Sequence, residues 1–419
     1  MRILGLAILL FLSSLAVYLV GSSDKKCLDA NPAELLPIQL LFKHNFEFNL
    51  YVTRHPLPYW FTERKGRVIS FYSIVPGVLN VPAFWIAKQA GLKIFLFRKL
   101  LSKWTAAFAC ALSVAFLFLT LLAVCRRTAT AVLMAVIYAF GTGVWSTASQ
   151  SLWQHGPSLM FLTAALAFLV RPNSRWLPVA GFFLGMAVFT RPSNIVFAMP
   201  CAIYVALHQR HRFLSFSAAA LVPALLMAWY SQVYWGSVFA LGQGHCWEGI
   251  HGPHHNNFHG QFIKALEGHL FSPGRGLFVF SPIYIFALPA LFVAIGLSGD
   301  RPLFRYLAIG ALAHLIVYSM WNVWWGGNCF GYRMLLEMLP ILTLFLALTW
   351  ERPVSSSVWL RIPFWIFFAA SIYCSFLGAF FFNVMKSKVI SADSAWQYPD
   401  TELRECHWRF IASLQHLAS

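Results

Sequence analysis

Carboxylates are what this sequence has least of: 14 of its 419 residues are Asp or Glu, against 31 Lys and Arg. Charged residues of both signs make up 11% of the chain, where a soluble domain carries about 25%. That scarcity excludes an ordinary soluble protein. With 59% hydrophobic and 17% aromatic residues, the chain reads as an all-α polytopic membrane protein. A net charge of +17 would suggest nucleic acid in a soluble chain. Here the basic residues stand mostly in short loops between apolar runs, where the positive-inside bias and anionic lipids account for them. No nucleic-acid partner is expected.

Other absences narrow the function. No C-x-x-C pair occurs, so a zinc ribbon is not indicated, and no H-E-x-x-H helix is present. A transporter or lipid flippase is the alternative reading, but such proteins usually show inverted repeats and ionisable groups near mid-membrane. This chain has no convincing internal repeat, and its apolar runs are almost free of charge at their centres, His314 being the main exception. A non-enzymatic scaffold would leave the polar motifs described below without a role. No N-x-S/T sequon occurs, which fits the inner membrane of a bacterium.

Apolar runs long enough to cross a bilayer lie near 3–21, 104–124, 129–148, 154–170, 176–190, 194–208, 213–231, 276–298, 305–321, 334–350 and 359–382. The first, residues 1–21, exceeds a signal-peptide core and has no clear cleavage site, so it reads as an uncleaved span. Residues 71–92 are ambiguous, and the charge rule decides. If they do not cross, the basic clusters at 125–127, 171–175, 208–212 and 300–305 all fall in the cytoplasm. Pro76 and Pro82 also interrupt that stretch. The expectation is eleven spans in one membrane domain, with the N-terminus inside and the C-terminus outside. Spans occupy 104–231 and 276–382, and the extracytoplasmic face carries a long first loop (22–103), a second loop (232–275) and the tail (383–419).

The outer loops hold most of the polar sequence. Five acids, Asp24, Asp29, Glu34, Glu47 and Glu63, fall within residues 22–70. Asp29 stands just ahead of a helix start marked by Asn31 and Pro32, where a fixed carboxylate could act as a general base. The linker Trp324-Trp325-Gly326-Gly327-Asn328-Cys329-Phe330-Gly331-Tyr332-Arg333 combines interfacial aromatics with glycines that permit close backbone approach. Its Arg333 either forks onto a phosphate or pairs with Glu337, one helical turn on. Arg191 and Arg275 stand at other outer span ends. The second loop carries His245, His251, His254, His255, His259 and His269; either it is a His/Gly-rich surface or it holds a divalent cation. Cys27, Cys246, Cys329 and Cys406 on the same face permit two disulfides, with three pairings open.

These strings, with Leu152-Trp153-Gln154-His155-Gly156-Pro157, Phe189-Thr190-Arg191-Pro192 and Leu270-Phe271-Ser272-Pro273-Gly274-Arg275-Gly276-Leu277, resemble the GT-C fold membrane glycosyltransferases. The similarity is nearest to bacterial relatives of the dolichyl-phosphate-mannose–protein mannosyltransferases and covers roughly residues 1–350 in order. It implies a polyprenyl-phosphate-linked sugar as donor and a glycan, lipid or protein as acceptor on the extracytoplasmic side, with inverting direct displacement. The family's catalytic Asp, near a P-x-x-x-L-P run, maps onto Asp29 before Pro32 and Pro37, with Asp24 and Glu34 as substitutes. Arg333, Arg275 and Arg191 become donor-phosphate ligands, and His155, Trp325, Asn328 and Tyr332 substrate contacts.

The topology is testable by labelling. A cysteine introduced at Lys93, in a background lacking the other outer cysteines, should react with a membrane-impermeant thiol reagent from outside. Labelling only after the inner face is opened would mean that 71–92 cross and would invert every later loop.

Overall fold

The computed structural model describes residues 2–20, 28–51, 56–171, 175–240, 242, 258, 261–296, 302–389 and 391–418. The described residues are mostly helical, as the apolar composition requires, because in hydrocarbon each backbone N–H and C=O must find its partner within the segment. Among the described residues, five helical stretches are long and apolar enough to cross a membrane. Six shorter apolar helices, beginning with Ile3–Leu19, accompany them.

The described part of the segment that follows the first apolar helix is folded. Helix α1 (Arg2–Leu19) leads to α2 (Asn31–Lys43), which starts on Pro32 and ends where His44 turns left-handed. A hairpin of β1 (Phe61–Arg64) and β2 (Arg67–Ser70) follows, its turn made by Lys65 and Gly66 at positive φ. Helix α3 (Val75–Gln89) has 15 residues, about 22 Å, short of the ~30 Å hydrocarbon thickness. Helix α4 (Ile94–Val124) has 31 residues, about 46 Å, and begins ten residues before the apolar run that marks it in sequence. Its extra turns form a post for α2 and α3. Asn80 on α3 fastens the three helices: its Nδ2 donates to Ser102 Oγ (2.7 Å) and the Ala33 carbonyl (3.2 Å), and its Oδ1 accepts from Thr105 Oγ1 (2.7 Å).

The bundle continues with α5 (Thr128–Phe140), α6 (His155–Leu169), α7 (Leu177–Thr190), α8 (Ile195–His208) and α9 (Arg210–Tyr230). Helix α4 packs on α1 and α6, and α7 on α6 and α9. Two glycines set the last contact. A Cβ on Gly181 would lie 2.2 Å from the Phe216 carbonyl oxygen, and one on Gly185 2.8 Å from that of Ala220. This is the small-residue spacing that lets membrane helices approach backbone to backbone.

After α10 (Phe262–Phe271), the apolar run near 276–298 is broken into a short α11 (Leu277–Phe280), a 3₁₀ stretch at Pro282–Ala287 and α12 (Leu288–Gly296). Helices α13 (Pro302–Ser319), α14 (Leu339–Glu351) and α15 (Val358–Phe381) complete the bundle. The tail folds back and ends in the amphipathic α16 (Glu402–Ala418), whose Phe410 packs edge-on against Phe376 and Phe381.

The expectation of two disulfides changes. Cys329 is a buried free thiol whose Sγ–H points at the Gly331 carbonyl, so a framework of two disulfides does not form. Cys27 and Cys246 lie outside the described residues, and Cys406 is buried in α16. The tail is held instead by an ion pair. Arg275, 1% exposed, donates to Glu402 through Nη1 (2.8 Å) and Nη2 (3.2 Å). It also donates to the Trp325 and Gly327 carbonyls at 2.6 and 2.9 Å. One guanidinium thus ties three segments together.

Removing one member of such a pair strands the other charge in a dry site and costs about 3–5 kcal/mol. Arg275→Met should therefore markedly lower the thermal unfolding temperature in detergent, and Arg275→Met with Glu402→Leu should recover much of the loss.

Candidate active site at one end of the helix bundle

Asp29 stands in the turn that feeds α2, two residues before the helix opens at Asn31. Oδ2 accepts from Arg333 Nη1 at 2.8 Å, and Oδ1 accepts from the Tyr59 hydroxyl. Burial pushes the Asp29 carboxyl up, but the Arg333 charge and hydrogen bonds from Tyr59, Arg333 and Tyr72 outweigh it and hold the group below the usual aspartate value. It is a carboxylate at neutral pH.

Arg333 opens a 3₁₀ turn (Arg333–Met338) at the mouth of α14. The linker before it bends through Gly326, Gly327 and Gly331, all at positive φ, which explains the glycines there. At Gly326 there is little room either, since a Cβ would stand 3.4 Å from the Arg333 stem. The guanidinium carbon lies 5.0 Å from the centre of the Trp153 ring, a cation–π contact.

Behind this pair stands a second charged group. Glu337 is fully buried and accepts from Arg191 Nη1 at 2.9 and 3.0 Å, with His155 Nδ1 2.9 Å from its Oε1. Arg191 Nη2 donates to Tyr318 Oη at 2.6 Å, and that hydroxyl donates to Ser193 Oγ at 2.8 Å. The i,i+4 pairing of Arg333 with Glu337, one of the two readings open from sequence, is not made: each takes a partner from a distant segment.

Both groups border one cavity of about 680 Å³, within the range of small-molecule sites. Asp29, His155, Arg191, Asn328 and Arg333 line it together with Tyr59, Tyr72, Trp153 and Tyr318. Trp321, Val317, Ile195 and Val196 give it an apolar side toward α8 and α13.

By sequence the chain matches no family model and no curated protein. By fold it superposes on ArnT of Cupriavidus metallidurans bound to undecaprenyl phosphate, with a TM-score of 0.54 at 14% identity, covering 96% of this chain and 74% of that one. The apo state of the same protein gives 0.53 at 14%, over 97% and 74%. The archaeal oligosaccharyltransferase AglB of Archaeoglobus fulgidus, in complex with an inhibitory peptide and a dolichol-phosphate, gives 0.52 at 13%, over 90% of this chain and 55% of that one. The chain has a GT-C-like fold.

Within this GT-C-like frame the remaining described residues singled out from sequence stand apart from the cavity. Arg275 serves the tail clamp. Trp325 packs edge-on to Trp324, with ring centres 6.3 Å apart. Tyr332 is buried, its hydroxyl 2.5 Å from Ser281 Oγ and accepting from the Gly143 N–H at 3.0 Å. Glu34 lies on the buried face of α2, 3.9 Å from Arg98. Asp24 lies outside the described residues, as do His245, His251, His254, His255 and His259 of the second loop. His269 is buried, its Nε2 3.2 Å from the Tyr318 carbonyl oxygen; burial lowers it to about 4. Among the described residues no three His, Cys, Asp or Glu side chains converge as metal ligands. The cavity wall, one carboxylate beside two guanidinium groups, is a poor donor set for a divalent cation. Sequence reading missed Tyr59, Tyr72 and Tyr318, whose roles depend on folding; Trp153 could have been found, since it stands in the Leu152–Pro157 string.

The pairing pattern makes a prediction. Glu337→Gln should not rescue Arg333→Ala, because Glu337 answers Arg191 and His155. Glu337→Gln alone should instead lower thermal stability, by leaving Arg191 short of a counter-charge. Recovery of ligand binding in the Arg333→Ala, Glu337→Gln double variant would contradict this assignment.

Proposed function

We propose that this protein is an integral membrane glycosyltransferase that moves a sugar from a polyprenyl-phosphate donor to an acceptor on the extracytoplasmic face of a bacterial inner membrane. One observation carries the reading. A carboxylate from the first outer loop and a guanidinium from the linker before α14, 304 residues apart, meet at 2.8 Å on the wall of a cavity with an apolar side. That is the pair an inverting displacement needs: a base for the acceptor hydroxyl and a cation for the departing phosphate. The GT-C-like fold and the lipid phosphates named with ArnT and AglB support the same donor class.

On this reading Asp29 takes the acceptor proton, and Arg333, with its planar fork, holds the lipid phosphate. Arg191 backs it with further positive potential while Glu337 keeps it in place. His155, Asn328 and Tyr318 hold sugar hydroxyls, and the apolar side near Val317 and Trp321 accepts the first isoprene units. Both the long and the shorter apolar helices cross, making eleven spans, with α3 lying in the outer interface.

Purified protein in proteoliposomes should transfer label from a polyprenyl-phosphate sugar to an acceptor. Asp29→Asn should retain fold and insertion and lose activity by about 10²–10⁴-fold. Arg333→Lys keeps the charge without the fork and should lose less activity than Arg333→Ala. No transfer from any polyprenyl-phosphate sugar, or full activity in Asp29→Asn, would overturn the reading.

A further inference from the structure

The proposed base and the proposed phosphate ligand are bonded to each other, and this bears on how the two halves of the reaction communicate. Of the two guanidinium groups on the cavity wall, Arg191 is answered by a carboxylate with no exposed surface. Arg333 is answered by Asp29, with side-chain exposures of 16% and 13%. An anion entering the cavity can therefore draw on Arg333 at the lower cost. Arg333 sits over the Trp153 ring at the cavity wall and reaches Asp29 through Nη1, so the same guanidinium borders both the base and the cavity.

We propose that Arg333 couples the two ends of the displacement: it holds Asp29 before lipid binds and is drawn onto the donor phosphate when lipid binds, freeing Asp29 to accept the acceptor's proton. This rests on the glycosyltransferase reading and adds to it an order of events, with donor before acceptor activation.

The electrostatics run the right way. The titratable groups facing Asp29 among the described residues are Arg333, Tyr59, Tyr72 and Cys329. Arg333 is the one cation among them. Once phosphate neutralises it, the burial of Asp29 acts with less opposition and proton affinity rises. The donor is a phosphodiester with one negative charge. As the bond from C1 of the sugar to the phosphate oxygen breaks, its electron pair stays on that oxygen and the phosphate becomes a dianion. At the same time C1 bonds to the acceptor oxygen, whose proton passes to Asp29. Arg333 is pulled hardest toward phosphate at the moment the base must be strongest.

Proton uptake tests this. Farnesyl phosphate would be titrated by calorimetry into detergent-solubilised wild type and Asp29→Asn at about pH 5, above the ordinary aspartate value, in two buffers of different ionisation enthalpy. Wild type should take up more protons per bound lipid than Asp29→Asn, the difference approaching one. Infrared difference spectra of wild type alone, should the variant fold poorly, should gain a protonated-carboxyl band on lipid binding. Binding with equal uptake in both proteins, or without the band, would overturn the coupling and leave the transferase reading standing. Failure of farnesyl phosphate and of longer polyprenyl phosphates to bind wild type would overturn both.

Discussion

A charge buried in a low-dielectric bundle must be answered by an opposite charge, and the cavity end of this protein is organised by that constraint. Asp29–Arg333, Glu337–Arg191 and Glu402–Arg275 join segments 304, 146 and 127 residues apart. With so few acids available, the position of each one decides which arginine it holds. Glu402 commits Arg275 to the fold, and Glu337 commits much of Arg191. Asp29 holds Arg333 at the edge of the cavity, where the pair keeps some contact with solvent.

The glycines and aromatics serve the same arrangement. Gly326, Gly327 and Gly331 bend the linker so that Arg333 returns to the cavity instead of continuing along α14. Arg275 holds the Trp325 and Gly327 carbonyls, so the clamp on the tail also fixes the backbone that forms one wall. Trp153 gives the Arg333 guanidinium a flat surface, and His155 meets that indole edge-on with ring centres 5.1 Å apart. Between α7 and α9, Gly181 and Gly185 let the backbones approach by packing alone. The protein therefore uses two forces: close van der Waals contact between helices and paired charge beside the cavity.

The sequence by itself determined the class of this protein. Scarce charge and long apolar runs leave only a helical membrane bundle, because no other backbone satisfies its hydrogen bonds in lipid without closing a barrel. The same scarcity made Asp29 and Arg333 conspicuous, since a polar residue at the end of an apolar run needs a reason to be there. Helix ends were less legible: α4 starts ten residues before its apolar run because its first turns pack on α2 and α3, and protein contact replaces hydrophobicity there. Only the tertiary structure decided the partners. From sequence, Glu337 was the natural neighbour of Arg333 at i,i+4, and Arg275 looked as free as Arg191. Which charges meet depends on how α6, α7, α13 and the tail converge at one end of the bundle. Coulomb energy follows distance in space, and chain spacing does not report that distance across hundreds of residues.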